Sequence, residues 1–556
     1  MRRRDFVVSA ASCAIAITGE VAMKLFGGIC LAAVLLLSSP AGADPILPSP
    51  DLVQSIARKT IPEFVELLSL PNDSIRAADI GANARWLEAA FQKRGFTTRL
   101  LPNKDKPLVY AEFGRRIADA PTVLFYMHYD GMPVLPEQWA QKSPHQPVLR
   151  QRSGPAAPSG PISFLPSTAK ANTGWDDLDL TKSLSGPIDP EWRLFARSAS
   201  DDKGPIMMFL SAFDLLAEMK VAPVINVKVV LDPEEEKGSP NISAPVTANR
   251  DLLKSDALII NDGPMHPSNR PTIIFGNRGN AVVELTVFGP RSPLHSGHYG
   301  NYAPNPAQRL ATLLASMKDD DGRVLVPHYY DGVKLTERER SMLRAVPDEE
   351  AAILKRLGIA KPEKVGENLQ EAVQYPSLNI RGMQSAAIGE KGANIIPATA
   401  TAELDLRTTP GANAAYLVDA IEKHIRAQGY HLVTGQPSDD ERAKYLKIAS
   451  LTLRRGSNAA FSEMETPAGA WVQDALAEAF ASSGQPATTV RIRLMGGSVP
   501  TDKLVEALDM PFVIVPLVNS DNNQHSYDEN LRLGHYLDGI RAFVGLLRRP
   551  YPAATK

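Results

Sequence analysis

The sequence predicts an α/β protein in which helices cover both faces of a mostly parallel sheet, with a ferredoxin-like βαββαβ domain inserted. Apolar runs such as "TVLFYMHYD" and "INVKVVLDP" are typical of buried strands. They alternate with segments whose apolar residues recur every three to four positions, which indicates helices. Strands joined by helical crossovers form a mostly parallel sheet. The 556 residues provide material for two or three domains.

The first part of the large domain is predicted to span residues 44–275. It opens with two predicted helices, "DLVQSIARKTIPEFVELLSL" and "NARWLEAAFQKRG". The interval from Ser143 to Pro190 is rich in Pro, Ser and Gly and has no clear periodicity, so we expect a loop insertion there. A further helix is expected to begin near Lys203.

The inserted domain is predicted to span residues 276–464. Its expected order is strand "NAVVELTVFG", helix "PAQRLATLLASMK", strands "SLNIRGMQ" and "ATAELDLRTT", helix "AAYLVDAIEKHIRAQ" and strand "HLVTG". The charged stretch from Thr336 to Gln370 is expected to add helices to this domain. Residues 465–556 are predicted to return to the first sheet and complete the large domain.

The formal net charge of -2 provides no basic excess, so we expect no nucleic-acid partner. Cys13 and Cys30 both lie within the first 43 residues. If those residues are removed, the mature chain has neither disulfides nor thiolate ligands. Any metal would then be held by His, Asp and Glu.

Residues 1–43 are predicted to be an export signal. "MKLFGGICLAAVLLLSSPAGADP" has an apolar core too short to span a membrane, and Ala41–Ala43 form an A-x-A cleavage site. Arg3 and Arg4 resemble a twin-arginine signal if Met1 is the start, whereas a start at Met23 leaves an ordinary secretory signal. Both starts remain open. We expect a periplasmic or secreted bacterial protein with no stable membrane span after cleavage.

Ligand-type side chains gather where predicted strands end. His128 and Asp130 follow "VLFYM", Glu234–Glu236 follow "NVKVVL", Asp262 follows "ALIIN", and His525 lies downstream of "FVIVPLV". Open α/β sheets bind ligands at the carboxyl ends of their strands. Carboxylates that converge there are tolerated around cations, so the pattern predicts a metal site.

Each of these features also has an ordinary structural interpretation. Adjacent glutamates are usually solvated surface, and a single histidine at a strand end is usually structural. Asp201 and Asp202 at a helix start are also favoured by the helix dipole alone. The coincidence of five such features at strand ends favours the metal site over these separate explanations.

Five motifs, "HYDGMP", "ASDDKGP", "EEEKGS", "NDGP" and "NNQHSYDEN", occur in this order. Together they resemble the dinuclear zinc metallopeptidases that include carnosinase, bacterial dipeptidases, glutamate carboxypeptidase, aminoacylase and succinyl-diaminopimelate desuccinylase. The resemblance covers nearly the whole mature chain. "PLHSGHYG", "NIIPATATAELDLRTTP" and "MGGSVP" indicate the carnosinase-like branch, in which the inserted domain is a lid and dimerisation domain.

The resemblance implies two divalent ions per chain. Asp201 would bridge them, His128 and Asp262 would complete one site, and Glu236 and His525 the other. Zinc is the expected metal, and ligands without thiolates also permit manganese or cobalt.

The resemblance also implies roles for residues around the metals. Glu235 would be the general base. The role of Asp130 follows from spacing instead: two positions after His128 on a strand, it points to the same face and can orient the imidazole. His295 would stabilise the oxyanion, often from the neighbouring protomer of a homodimer. Arg407 would bind the substrate carboxylate. The other implied contacts to the substrate are Asn394, Gly497 and Ser498.

The sequence departs from the family pattern at three places. Pro233 stands where a glycine is usual, "LFARSASDD" replaces the usual "YGRG" lead-in, and the Ser143 to Pro190 interval separates the first two metal ligands. The implied ligands are intact, so these departures concern the choice of substrate more than catalysis.

The expected function is that of an exported, metal-dependent dipeptidase or carboxypeptidase acting next to a residue with a free carboxylate. An N-acyl-amino-acid amidohydrolase would use the same chemistry, and the sequence does not separate the two substrate classes. A non-catalytic binding protein is a third alternative. Retention of Glu235 argues against it, because a binding protein needs no general base.

Overall fold

The computed structural model describes residues 47–154, 174–482, 484, 487–497, 499 and 501–552. The predicted export signal, Ser498 and residues 155–173 of the predicted insertion lie outside this part of the chain. Within the described ranges, no helix is both long enough and apolar enough to cross a membrane.

The large domain is built on an eight-stranded mixed sheet. Its four middle strands run parallel to one another, as predicted, and antiparallel pairings occur toward both edges. The strands in spatial order are Phe96–Leu101, Leu108–Phe113, Asn226–Asp232, Thr122–His128, Ala257–Ile260, Phe512–Ile514, Thr272–Ile274 and Val490–Ile492.

Helices cover both faces of this sheet, which confirms the predicted layers. Alternate residues of a strand point to opposite faces. Accordingly, Phe125 packs in one apolar core and its neighbour Tyr126 in the other. One face carries the helices Pro50–Leu68, Ala77–Gln92, Lys203–Glu218, Pro467–Ala481 and Leu533–Arg548, and the other carries Ser243–Ala248, Arg250–Leu253 and Thr501–Leu508.

The helix that begins at Lys203 is predicted correctly, and it is buried along most of its length. Other helix starts follow local capping chemistry. Ser49 accepts a hydrogen bond from the Leu52 N–H, and Thr466 accepts one from the Gly469 N–H. Each cap satisfies a backbone donor that has no partner inside its helix.

The inserted domain contains a five-stranded sheet with its own apolar core. The strands in spatial order are Ser377–Gln384, Thr399–Thr408, Gly279–Phe288, Ile448–Gly456 and His431–Leu432. The helices Pro306–Ala315 and Ala414–Ala427 pack against this sheet. The remaining helices of this domain are Ser296–Tyr299, Glu337–Arg344, Glu350–Leu357, Leu369–Ala372 and Asp439–Lys444.

The prediction of the last strand in the βαββαβ unit is only partly confirmed. "HLVTG" contributes only the edge strand His431–Leu432, whereas Ile448–Gly456 pairs along most of Gly279–Phe288. The second half of Ile448–Gly456 is exposed, so its residues carry no clear apolar alternation. Its strand conformation comes from pairing with a neighbour distant in sequence, which periodicity does not show.

The chain passes between the two domains through a short antiparallel ribbon. Gly276–Asn277 pairs with Ala460–Phe461 at this crossing. A Cβ atom on Gly276 would lie 2.5 Å from the Ala460 carbonyl oxygen, so the close approach of the two segments requires glycine.

The prediction that Ser143 to Pro190 is a loop is wrong for its described part. This interval contains the strands Val148–Arg152 and Trp175–Asp177 and the short helix Leu180–Ser183. The two strands join Arg193–Phe195 and Asn530–Arg532 in a four-stranded antiparallel sheet. The guanidinium of Arg152 lies 4.4 Å from the Trp175 ring centre, a cation–π contact that supports the sheet without apolar periodicity.

Candidate metal site

The predicted ligands lie at the carboxyl ends of the parallel strands. His128 ends its strand, and Glu235 and Glu236 form a single 3-10 turn just after the neighbouring strand Asn226–Asp232. Asp262 follows the strand on the other side of His128. The parallel direction of these strands therefore brings the side chains to one edge of the sheet.

Asp201 lies at the centre of the cluster. Its Oδ1 is 2.8 Å from His128 Nε2, and its Oδ2 is 3.0 Å from His525 Nε2. Glu236 Oε2 is also 3.0 Å from His525 Nε2. Two groups result, and both contain Asp201. The first group is His128, Asp201 and Asp262. The second group is Asp201, Glu236 and His525. Within each group, the potential ligand atoms lie within 4.8 Å of one another.

The charges of this cluster fit divalent cations. Burial, with repulsion from Asp201, raises the pKa of Glu236 to about 7 and that of Asp262 to about 6. Burial and the nearby Asp262 carboxylate raise the pKa of Glu235 well above its usual value. A cation would relieve this repulsion, and carboxylate and imidazole donors suit zinc, manganese and cobalt.

Asp130 connects His128 to the glutamate turn. The His128 Nδ1–H donates to the Asp130 backbone carbonyl at 3.2 Å, and Nδ1 lies 3.4 Å from the Asp130 Oδ1. A proton on Nδ1 leaves Nε2 available as a metal ligand. Asp130 Oδ1 also accepts a 2.9 Å hydrogen bond from the Glu235 N–H. The orienting role predicted for Asp130 therefore has a geometric basis.

A cavity of about 1180 Å³ opens beside the cluster. Asp201, Glu235, Glu236, Asp262 and His525 line one side of it. Arg407 reaches the same cavity from the lid, with its side chain 30% exposed and its Nε 3.7 Å from Asp405 Oδ2. Gly497 also lines this cavity, so the structure brings the two predicted substrate contacts Arg407 and Gly497 to the cavity beside the ligand cluster.

His295 and Asn394 lie together elsewhere on the lid. Leu294–His295 pairs with Ile395–Ile396, and the Ser296 N–H donates to the Asn394 carbonyl at 2.9 Å. His295 is exposed, and its Nδ1 accepts a hydrogen bond from the Gly297 N–H. Neither His295 nor Asn394 is among the described residues that line the cavity. The structure therefore does not bring them to the cavity of their own chain.

Comparisons with known proteins find peptidases. Residues 275–432, in the inserted domain, match the family model of a peptidase dimerisation domain. The chain is 24% identical over 474 residues to the Cys-Gly metallodipeptidase of Schizosaccharomyces pombe, covering 82% of this chain and 86% of that protein. It is 26% identical over 416 residues to human Beta-Ala-His dipeptidase, covering 73% of this chain and 77% of that protein.

Solved structures share the fold. An M20 family metallo-carboxypeptidase from Sulfolobus solfataricus superposes with a TM-score of 0.67 at 24% identity, covering 89% of this chain and 99% of that chain. Human carnosine dipeptidase 1 superposes with a TM-score of 0.64 at 19% identity, covering 90% of this chain and 99% of that chain. In sequence and in fold, the chain is therefore similar to the M20 peptidases.

Glu529 is a supporting residue that sequence reasoning missed. Its buried carboxylate accepts hydrogen bonds from the backbone N–H groups of Ser198, Ser200 and Asp201 and from the Arg197 side chain. Glu529 thereby holds the segment that carries the shared ligand. The residue lies within the motif "NNQHSYDEN", and its acidic side chain four positions after His525 was the available signal.

Two further residues support the predicted ligands. Gln524 Nε2 donates to Asp201 Oδ2 at 3.1 Å. Asp202 Oδ2 accepts a 3.0 Å hydrogen bond from the His128 N–H, although a position at a helix start suggested only a dipole interaction. Both contacts join segments that lie far apart in sequence.

Proposed function

We propose that this enzyme is a metal-dependent dipeptidase or carboxypeptidase that hydrolyses the amide bond next to a residue with a free carboxylate. One observation carries the proposal. Asp201 is shared by two ligand groups, with Glu235 beside them, in a cavity that also contains Arg407. Relatives of the chain are named as metallodipeptidases, and a structural neighbour is a metallo-carboxypeptidase.

The two ligand groups would hold two divalent ions, with Asp201 between them and zinc the expected metal. When bound, such ions activate water near neutral pH and polarise the scissile carbonyl. His128 and Asp262 would hold one ion, and Glu236 and His525 the other.

Glu235 is suited to proton transfer. Its side chain is only 11% exposed, and its Oε2 lies 4.0 Å from His128 Nε2 in the metal cluster. The hydrogen bond from its N–H to Asp130 fixes its backbone. Glu235 would accept a proton from the attacking water and deliver it to the leaving amine.

Arg407 would bind the substrate carboxylate. It lies on Thr399–Thr408, opposite Asn280 on the adjacent strand, and both side chains line the cavity. A planar guanidinium can donate two parallel hydrogen bonds to a carboxylate. Gly496 and Gly497 line the same cavity, and their backbone N–H groups would support the anion.

The active unit would be a homodimer formed through the lid domain. The edge strand Ser377–Gln384 exposes Ile380 and Met383, at 42% and 56%. Unpaired strand edges with exposed apolar side chains are suited to association. In such a dimer, His295 of one protomer would stabilise the oxyanion in the partner's cavity. Two observations support this arrangement: His295 is exposed, and it is not among the described residues that line the cavity of its own chain.

The same site would also accept an N-acyl amino acid, which differs from a dipeptide in lacking a free amine. The deciding experiment couples metal analysis of the purified protein to a hydrolysis screen of dipeptides and N-acyl amino acids. Faster metal-dependent cleavage of dipeptides supports the proposal. Preference for N-acyl substrates assigns a deacylase instead, and metal binding without turnover on either class indicates a binding protein.

We also infer export to the periplasm or the medium, with cleavage after Ala43. The support is the apolar segment before the A-x-A site at Ala41–Ala43. Amino-terminal sequencing of the protein from fractionated bacterial cells tests this. A mature start at Asp44 in the exported fraction agrees with the proposal, and an intact leader in the cytoplasmic fraction contradicts it.

A further inference from the structure

The three consecutive glutamates of "EEEKGS" point to different partners. Glu235 and Glu236 line the metal cavity, whereas Glu234 is 4% exposed and lies against the loop before Leu108–Phe113. Glu234 Oε1 accepts a 2.6 Å hydrogen bond from Lys106 Nζ. Its Oε2 accepts a 2.8 Å hydrogen bond from Asn241 Nδ2.

The pairing with Lys106 compensates for the burial of Glu234. Both oxygens of the buried Glu234 carboxylate accept hydrogen bonds, Oε1 from the Lys106 ammonium and Oε2 from the Asn241 amide, and these contacts stabilise the ionised form. Glu234 is therefore a charged side chain in a buried position, and its nearest cation is Lys106. Such a pair has a well-defined geometry because each partner is costly to leave alone.

Both sides of this pair connect to the metal site. The loop that carries Lys106 is joined to the His128 segment, since the Tyr129 hydroxyl donates to the Pro107 carbonyl. On the other side, the Glu234 carbonyl accepts a 2.9 Å hydrogen bond from the Ser239 N–H and so closes the glutamate turn. The ion pair thus links two segments that each contribute to the cluster.

The far end of the turn is held by a second lysine. Lys503 Nζ donates to the Gly238 carbonyl at 2.6 Å and to the Ser239 carbonyl at 3.0 Å. Glu235 and Glu236 therefore lie between two anchors that come from separate segments of the chain. Without such anchors, repulsion among adjacent carboxylates favours conformations that separate them.

We propose that Lys106 is a positioning residue that, through Glu234, sets the turn carrying Glu235 and Glu236. This inference rests on the proposed function for the roles of those two glutamates. No contact of Lys106 with Glu235 or Glu236 is found in the described structure, and Lys106 acts by holding their neighbour Glu234. Partners that orient metal ligands are commonly needed for full metal affinity and activity.

The test compares three substitutions. Lys106→Met removes the charge and keeps an unbranched side chain, Lys106→Arg keeps the charge, and Lys104→Met is a matched control at an exposed lysine of the same loop. Lys106→Met should lower kcat and weaken metal affinity by about 10- to 100-fold. KM should change by less than about threefold, because substrate contacts remain. Lys106→Arg should recover most of both losses, and Lys104→Met should match the wild type.

A double substitution separates positioning from simple destabilisation. Lys106→Met combined with Glu234→Met replaces both partners by apolar groups, so thermal stability should return toward the wild-type value. Because the Glu234 end of the turn is still without its anchor, kcat should remain low. Recovery of kcat together with stability would assign the pair a purely structural role and overturn the inference.

Metal affinity can be measured by competition with a chelator, and this measurement requires no knowledge of the substrate. If the wild type hydrolyses no dipeptide or N-acyl amino acid, the proposed function fails while the metal titrations still decide the role of Lys106. Equal metal affinity and equal kcat in Lys106→Met and Lys104→Met would overturn the positioning role in an otherwise active enzyme.

Discussion

Glu529 Oε1 accepts a 2.9 Å hydrogen bond from the backbone N–H of Asp201, the residue shared by both metal-ligand groups. The same carboxylate accepts three further hydrogen bonds from the segment that leads to Asp201. One fully buried side chain therefore sets the backbone that carries the central ligand.

Glu529→Gln should destabilise the protein and weaken metal binding. In the wild type, N–H donors face both carboxylate oxygens of Glu529, and the substitution replaces one of these acceptors by an N–H₂ donor. Each lost charged hydrogen bond costs about 1.5–3 kcal/mol. Chemical denaturation and a metal titration measure the two effects. Asp528→Asn is the control, because its retained oxygen can still accept from the Ala140 N–H. Equal behaviour of the two variants would contradict the role of Glu529.

Glu235→Gln should abolish turnover while leaving the metal content almost unchanged, because Glu235 is the proposed base rather than a ligand. Glu236→Gln should instead reduce the metal content toward one ion per chain, since Glu236 belongs to only one ligand group. Elemental analysis and dipeptide hydrolysis check both. The opposite pattern would mean that the roles of the two glutamates are exchanged.

Metal affinity should fall as the pH is lowered from about 8 to about 5, since each displaced proton contributes about tenfold per pH unit. Despite burial, Asp201 and Glu236 raise the pKa of His525 to about 11, so its proton competes with the metal throughout this range. Glu236, with its pKa at about 7, and Asp262, at about 6, are protonated toward the acid end and steepen the dependence there.

A chelator competition series across this pH range measures the slope. Glu236→Gln removes one of the titrating groups, so its dependence below about pH 7 should be shallower than that of the wild type. A wild-type affinity that does not change with pH would contradict proton–metal competition at this cluster.

Mixing inactive Glu235→Gln chains with inactive His295→Ala chains should restore part of the activity. If His295 acts across the dimer interface, each heterodimer contains one cavity with both an intact base and an intact oxyanion donor. Heterodimers isolated with two affinity tags are assayed against each parent homodimer. Absence of recovery would show that His295 serves its own chain or no site.

Amidating the carboxylate of a dipeptide substrate should cost less in an Arg407→Ala variant than in the wild type. A charge-assisted hydrogen bond contributes about 1.5–3 kcal/mol, so either change alone should lower kcat/KM by about tenfold to a hundredfold. The two losses should not add, because both remove the same contact. Equal amidation penalties in the two enzymes would assign the carboxylate to another group, first of all the backbone at Gly497.

Local pattern was sufficient to predict the strands that end near His128, Glu235 and Asp262. Their residues form continuous apolar runs because both faces of the central sheet are covered. Since parallel strands end at a common edge, the proximity of their ligands followed from fold class alone. The resemblance to metallopeptidases added the pairing of these ligands around Asp201, which periodicity does not contain.

Long-range contacts limited the rest of the prediction. Ile448–Gly456 has an exposed second half, and its strand conformation depends on pairing with Gly279–Phe288. The strands within Ser143 to Pro190 likewise form by pairing with Arg193–Phe195 and with each other. Backbone pairing of this kind leaves little trace in local composition.

The sequence by itself determined the chemistry of the site, because residue types at strand ends identify the available ligands. Only the tertiary structure decided which side chains support them. Glu529 lies 328 positions after Asp201, and Lys106 lies 128 positions before Glu234. The sequence does not show whether a charged side chain is solvated or buried. A buried charge requires a partner, and which residue becomes that partner depends on the contacts of the folded chain.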